Sequence, residues 1–148
     1  MFIQARANGT IYPSRFVSVY PSTSATADSF KVIEDIVAAQ PIIGVSQEGT
    51  TGFPMGTNDM GVTAPTYAAS DEQDLKVYGP GEVCLIELGG TVNAGDPLKA
   101  NATTDGKGVA ADITTASQQF IGGYALQYGI SGDKIRMLIH PGIINNGT

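Results

Sequence analysis

Leu75-Lys76-Val77-Tyr78-Gly79-Pro80-Gly81-Glu82-Val83-Cys84-Leu85-Ile86-Glu87-Leu88-Gly89-Gly90 decides the fold class. Two apolar runs of strand length flank Gly79-Pro80-Gly81, a turn former, and Gly89-Gly90 stops the second run. Val83 to Ile86 is continuously apolar and reads as a mostly buried strand. The pattern continues downstream. Thr91-Val92 leads into the turn Asn93-Ala94-Gly95-Asp96, then Pro97-Leu98-Lys99-Ala100. Asp105-Gly106 marks a tight hairpin turn before Val109-Ala110-Ala111, because Asp-Gly tolerates positive φ. Phe120 to Leu126 is another strand, with a bulge expected at Gly122-Gly123. Ser131-Gly132-Asp133 turns into Lys134 to Ile139, and His140-Pro141-Gly142 is expected to end the chain's last strand.

Upstream of Leu75 the pattern is less uniform. Residues 1–22 read as an extended arm, because Ile11-Tyr12-Pro13 and Val19-Tyr20-Pro21 place prolines where interior strands do not hold them. The arm's apolar load must pack on its own domain or on a neighbour. Residues 22–28 are small and polar, a loop. From Ser29 to Gln40, Phe30, Ile33, Ile36 and Val37 have helical spacing, with Asp28 as N-cap and Pro41 as the stop. The β-branched residues there leave a strand as the alternative. Ile42 to Ser46 is a short β-like run, and residues 49–70 are a long Gly- and Thr-rich loop, expected at a subunit interface or disordered. The run from Ile42 to Ser46 echoes Phe120 to Tyr124, and Gly81 to Ile86 echoes Gly132 to Leu138, which suggests two similar β units closing one barrel or sandwich. The expectation is a mainly β fold: a small β-tulip or barrel-like domain over 23–148, one short helix, and an extended arm at 1–22.

Composition narrows the function. The 148 residues fit one domain. Fourteen acids against eight bases give a net charge of −6, which argues against nucleic-acid or anionic-membrane partners. Charged residues are only 15%, with 19 Gly and 8 Pro, a turn-rich β profile. The lone cysteine, Cys84, excludes an internal disulfide and a cysteine metal cluster, and its apolar setting makes it a small buried hydrophobe. No run reaches the ~18 apolar residues of a membrane helix. The first residues lack the layout of a signal peptide, so synthesis in the cytoplasm is expected. Chemistry is scarce. His140 is the only histidine, too few for a histidine metal site and the only residue that could serve as base to a Ser or Cys nucleophile. No Ser sits in a nucleophile-elbow motif, Gly79-Pro80-Gly81-Glu82 lacks the ending of a phosphate loop, and no acid cluster has calcium-loop spacing. No catalytic residue, cofactor or metal is expected, which favours a binding or scaffolding module over an enzyme.

The block from Val77 to Gly142 resembles the capsid cement, or head decoration, proteins of tailed bacteriophages. The segments that carry the resemblance are Val77 to Gly90, Ala94 to Ala100, Gly106 to Ala110, Ile121 to Leu126 and Gly132 to Ile139, with Ile43 to Ser46 upstream. The resemblance implies a small β-tulip or barrel-like domain with a projecting N-terminal segment, made in the host cytoplasm. It also implies a homotrimer, with a dimer as the alternative, on the outer capsid surface at junctions of the major capsid protein, stabilising the shell against internal DNA pressure. It carries over no catalytic residue. On this reading Phe2, Ile3, Tyr12, Phe16 and Tyr20 contact capsid or a neighbouring subunit, or else cover the domain's own core. Removing residues 2–20 is then expected to leave a folded core. Two other classes stay open: a secreted or virion-surface β module binding glycans, and a small homotrimeric enzyme with an interface site around His140.

Overall fold

The computed structural model describes residues 2–8, 11–20, 31–34, 40–49, 74–101, 106–114 and 118–145. Ten strands run through them. The first five are β1 (Phe2–Ala7), β2 (Phe16–Val19), β3 (Lys31–Glu34), β4 (Ile42–Gly49) and β5 (Asp74–Tyr78). The second five are β6 (Val83–Glu87), β7 (Pro97–Ala100), β8 (Gly108–Ala110), β9 (Gln119–Ala125) and β10 (Lys134–Ile144). The fold is mainly β, as the sequence indicates, and no helix occurs among the described residues.

The first five strands close a barrel in the order β1-β3-β2-β4-β5. β1 closes it by pairing antiparallel with β5, Phe2 against Tyr78 through Arg6 against Asp74. Closure removes both sheet edges. A five-stranded barrel has a narrow interior, and small residues fill it. Ala5, Ala7, Val17 and Val77 pack there with Leu75 and Ile11.

The second five strands form a sheet in the order β6-β10-β9-β7-β8. It curls until its edges approach: Leu88, just past β6, bridges Gly108 of β8. The Gly89 N–H donates to the Gly108 carbonyl at 2.9 Å. Cys84, Ile86, Leu98, Ile135, Met137 and Ile139 point into the concave side.

Phe16 joins the two layers. Val17 faces the barrel interior, and its neighbour Phe16 faces the other way, fully buried among the residues of the curled sheet. On the facing strand an extra residue, Ile43, is bulged between the pairs Val17–Gly44 and Ser18–Ile42. The bulge turns Ile42 and Val45 toward the same side as Phe16. The Phe16 ring packs against Gly122 of β9, where a Cβ would overlap three of its carbons. The backbone is tied down on both sides of the ring. Phe16 N–H donates to the Gly106 carbonyl at 2.8 Å, and Glu87 N–H donates to the Ser14 carbonyl at 3.0 Å. Residues 14–16 thus span the gap between the two edges of the curled sheet.

Three expectations change. The segment at 1–22 is not a free arm: β1 and β2 are two of the five barrel strands. Pro13 is accommodated because it lies in the connection between them, outside either strand. Deleting residues 2–20 therefore breaks the barrel and the Phe16 wedge and cannot leave the core folded. The helix expected at 29–40 is contradicted where it is described. Lys31–Glu34 is a strand, parallel to β1 and antiparallel to β2, so its β-branched pair Val32-Ile33 gains ladder partners that helical spacing does not reveal. Finally, His140-Pro141-Gly142 does not end β10. Ile139 pairs with Gly123 and Gly142 pairs with Ile121, so His140 and Pro141 together oppose the single residue Gly122. The bulge is on β10, where Pro141 needs no ladder hydrogen bond, and the strand continues to Ile144. The loop expected at 49–70 lies outside the described residues, apart from Gly49 at the end of β4.

The internal echo holds locally and fails globally. Gly81 and Gly132 do occupy matching turns with φ of +88° and +90°, as the third residue of a type II turn requires. But β4 belongs to the barrel and β9 to the curled sheet, so the echoed strands are not equivalent halves.

Phe16→Ala is expected to cost about 3–5 kcal/mol by leaving a cavity. Gly122→Ala, which forces the ring to move, is expected to cost about 1–3 kcal/mol. Because both act on one contact, the double variant should lose less than the sum of the two. Urea unfolding of the three variants checks this.

Candidate interaction surface

The five residues singled out by the sequence separate in the structure. Phe16 is buried core, not a contact residue, for the reasons above. Ile3 is partly buried and packs on the barrel's interior cluster. Tyr12 and Tyr20 are exposed. The Phe2 side chain lies outside the described residues. The five therefore do not form one surface.

Tyr12 is held in place by a polar junction. The Arg15 guanidinium lies 5.4 Å from its ring centroid, within cation–π range. Arg15 is almost fully buried, and its Nη2 bonds the Glu87 carboxylate at 2.9 Å. Lys107 Nζ reaches the other Glu87 oxygen at 3.3 Å. Ser46 stitches the same turn: its hydroxyl donates to the Tyr12 carbonyl at 2.6 Å and accepts from the Arg15 N–H at 3.1 Å. Ser14, between Pro13 and Arg15, has φ of +62°. Its N–H donates to the Ser46 carbonyl and its carbonyl accepts from Glu87 N–H. Hydrogen bonds on both sides hold this left-handed residue in place.

The larger surface is the convex side of the curled sheet, which the sequence reading missed. β6 was expected to be mostly buried, but Cys84 and Ile86 are buried while Val83 and Leu85 face out. The register aligns outward residues in rows across the strands. Val83, Leu138, Tyr124 and Pro97 form one row over β6, β10, β9 and β7. Leu85, Arg136 and Leu126 form the next. Strands about 4.8 Å apart make the four-strand row roughly 14 Å long. Val83, Leu85, Leu126 and Leu138 are between 36% and 52% exposed, which makes this a contiguous apolar patch rather than scattered residues. The sequence did carry the signal. A strand apolar on both faces is normally covered on both faces, and here Val83 and Leu85 on the outer face are about half exposed.

His140 lies on the same face, exposed, with its ring 5.9 Å from that of Tyr124. No described carboxylate pairs with it. Among the described residues no three His, Cys, Asp or Glu side chains converge as metal ligands would. Cys84 lies on the opposite, concave side, and burial pushes its thiol up from 9.0 to about 12.

No protein-family model and no curated protein matches the sequence. Among solved structures, the chain shares its fold with the N base of head fiber gp8.5 of bacteriophage phi29. The TM-score is 0.53 at 18% identity, covering 95% of this chain and 93% of that one.

The raised pKa of Cys84 fixes a pH dependence. The unfolded thiol ionises near 9.0 while the folded one stays neutral to about 12. This contribution to stability is therefore fully present below pH 9 and is lost as pH rises from 9 toward 12. At pH 8 the native chain should react with a disulfide reagent at least ~100-fold more slowly than the urea-unfolded chain, since the thiolate is the reacting form. Equal rates would show the thiol to be open to solvent.

Proposed function

We propose that this chain is a structural protein of a phage virion, a cement or decoration protein carried on the outside of the head and seated on major capsid protein. The observation that carries the reading is the fold shared over nearly the whole chain with the base of a phage head fiber. The strand-and-turn segments that resemble cement proteins support it independently. A cement has one physical demand to meet: to grip an assembled shell and not its separate subunits. Binding only the assembled state stabilises that state by mass action. Association as a homotrimer places three identical contact sets on neighbouring capsid subunits. Each further contact is then intramolecular, and avidity grows without stronger individual sites. No catalytic step is part of this role.

Of the residues expected to touch the shell, Tyr12 and Tyr20 have the exposure for it. Tyr12 has in addition a rigid seat, held by Arg15 and Ser46. A pre-positioned aromatic loses little conformational freedom on binding.

Gradient-purified virions of the phage that encodes this chain should contain it at a fixed number of copies per head. Heads stripped of it should rebind the purified protein saturably and release their DNA at a lower temperature than decorated heads. Virions that lack the polypeptide, or binding that never saturates, would refute the proposal. Tyr12→Ala should weaken rebinding by roughly tenfold or more if this aromatic is an anchor.

A further inference from the structure

Five of the seven bases whose side chains are described have partners. Arg15 and Lys107 hold Glu87, Lys99 bonds Gln119 at 3.0 Å, and Arg6 and Lys76 also have partners. Lys134 and Arg136 are the exceptions among the described residues: their side chains form no hydrogen bond or ion pair. Both are exposed and both point outward from β10, because Ile135 and Met137 between them are buried. They therefore stand on the convex face, with Arg136 between Leu85 and Leu126 in the second of its rows. The remainder of the chain carries 14 acids against 6 bases (8 less these two). An acidic protein thus presents one apolar face that bears the two cations left without a side-chain partner among the described residues.

We infer that this face binds a second copy of the chain, head to tail, with the convex sheet of one copy resting on an acidic surface elsewhere on the next. The charges select this geometry. A two-fold, face-to-face contact would bring Arg136 and Lys134 toward their own copies, and like charges at a dehydrated contact are unfavourable. A head-to-tail contact pairs them with acids of the next copy, which outnumber bases 14 to 6 in the remainder of the chain. Head-to-tail contacts either close into rings or run on as filaments. The apolar row from Val83 to Pro97 supplies the area removed from water, and Arg136, at the centre of the neighbouring row, fixes register, since charge complementarity sets orientation more than affinity. The edge strand β6 adds to the site. Residues 82 and 88 bond toward β10, so the backbone groups of Val83 and Leu85 point off the sheet edge and can bond an incoming chain. The inference deepens the self-association in the reading above, but its test needs no phage head, so the two can fail separately.

The test is the solution mass of the full chain at about 100 μM, by light scattering and sedimentation. The wild type should form one closed species of three or more copies of 15.3 kDa. Its dissociation constant should rise severalfold between 0.05 and 0.5 M salt as the charge pairs are screened. Leu138→Glu and Arg136→Glu should each run as monomers with an unchanged circular dichroism spectrum, since both side chains are exposed. Leu138→Cys separates the geometries: a face-to-face pair would trap it as a disulfide-linked dimer under oxidation, and a head-to-tail ring would not. A monomeric wild type, a simple dimer, or variants that assemble as well as the wild type would each overturn the inference. So would variants that keep the wild-type mass and lose only head binding, because the face would then belong to a different protein.

Discussion

The fold depends on one aromatic ring reaching out of a barrel. Adjacent residues of a strand point to opposite faces, so a single short strand can serve two cores at once. Val17 fills the barrel and Phe16 fills the curled sheet. The sheet accepts the ring only because Gly122 has no side chain to exclude it. The strand is fixed at that spot by backbone hydrogen bonds to both edges of the sheet. Barrel, strap and sheet therefore share one packing problem with one solution. A change in any of the three is felt by the others, because close-packed interiors transmit volume changes rather than absorb them.

The polar junction beside this ring has a different role. Arg15, Glu87 and Lys107 form a charge cluster that is mostly removed from solvent. Such clusters give little net stability, because taking charges out of water costs about what their attraction returns. Their value here is positional. The guanidinium is aimed at once at a carboxylate on the curled sheet and at the face of Tyr12, so it fixes the orientation of the barrel's entry segment. The same residues that set the angle between the layers also hold an aromatic ring at the surface in a defined pose. Packing and recognition share parts in this corner of the molecule.

From Leu75 onward the architecture was readable because short strands there alternate with turns whose chemistry is local. A proline followed by glycine, or Asp-Gly, states its geometry within four residues. The N-terminal third was not readable in this way. Phe16 and Val17 are both fully buried, so they show no alternation, and without it a strand cannot be told from an apolar arm. β3 takes its partners from β1 and β2, and the parallel pairing with β1 joins residues 25 positions apart, Arg6 with Lys31. Helical spacing of four apolar residues outweighed a signal that exists only in three dimensions. The convex face was misjudged for the opposite reason. Its apolar residues were noticed and assigned to the interior, because sequence alone does not say whether the second face of a strand is covered by the same chain.

Barrel closure has a temporal consequence. Phe2 pairs with Tyr78, so the first strand's final partner is made 76 residues later. At synthesis rates of 5–20 residues per second that interval is roughly 4–15 s, far longer than the microseconds a hairpin needs. Throughout it the nascent chain displays β1 with an unsatisfied edge beside the ribosome, where neighbouring copies emerging from the same messenger can reach it. Translation speed through the segment between β4 and β5 thus governs how long the chain is exposed to pairing with the wrong copy.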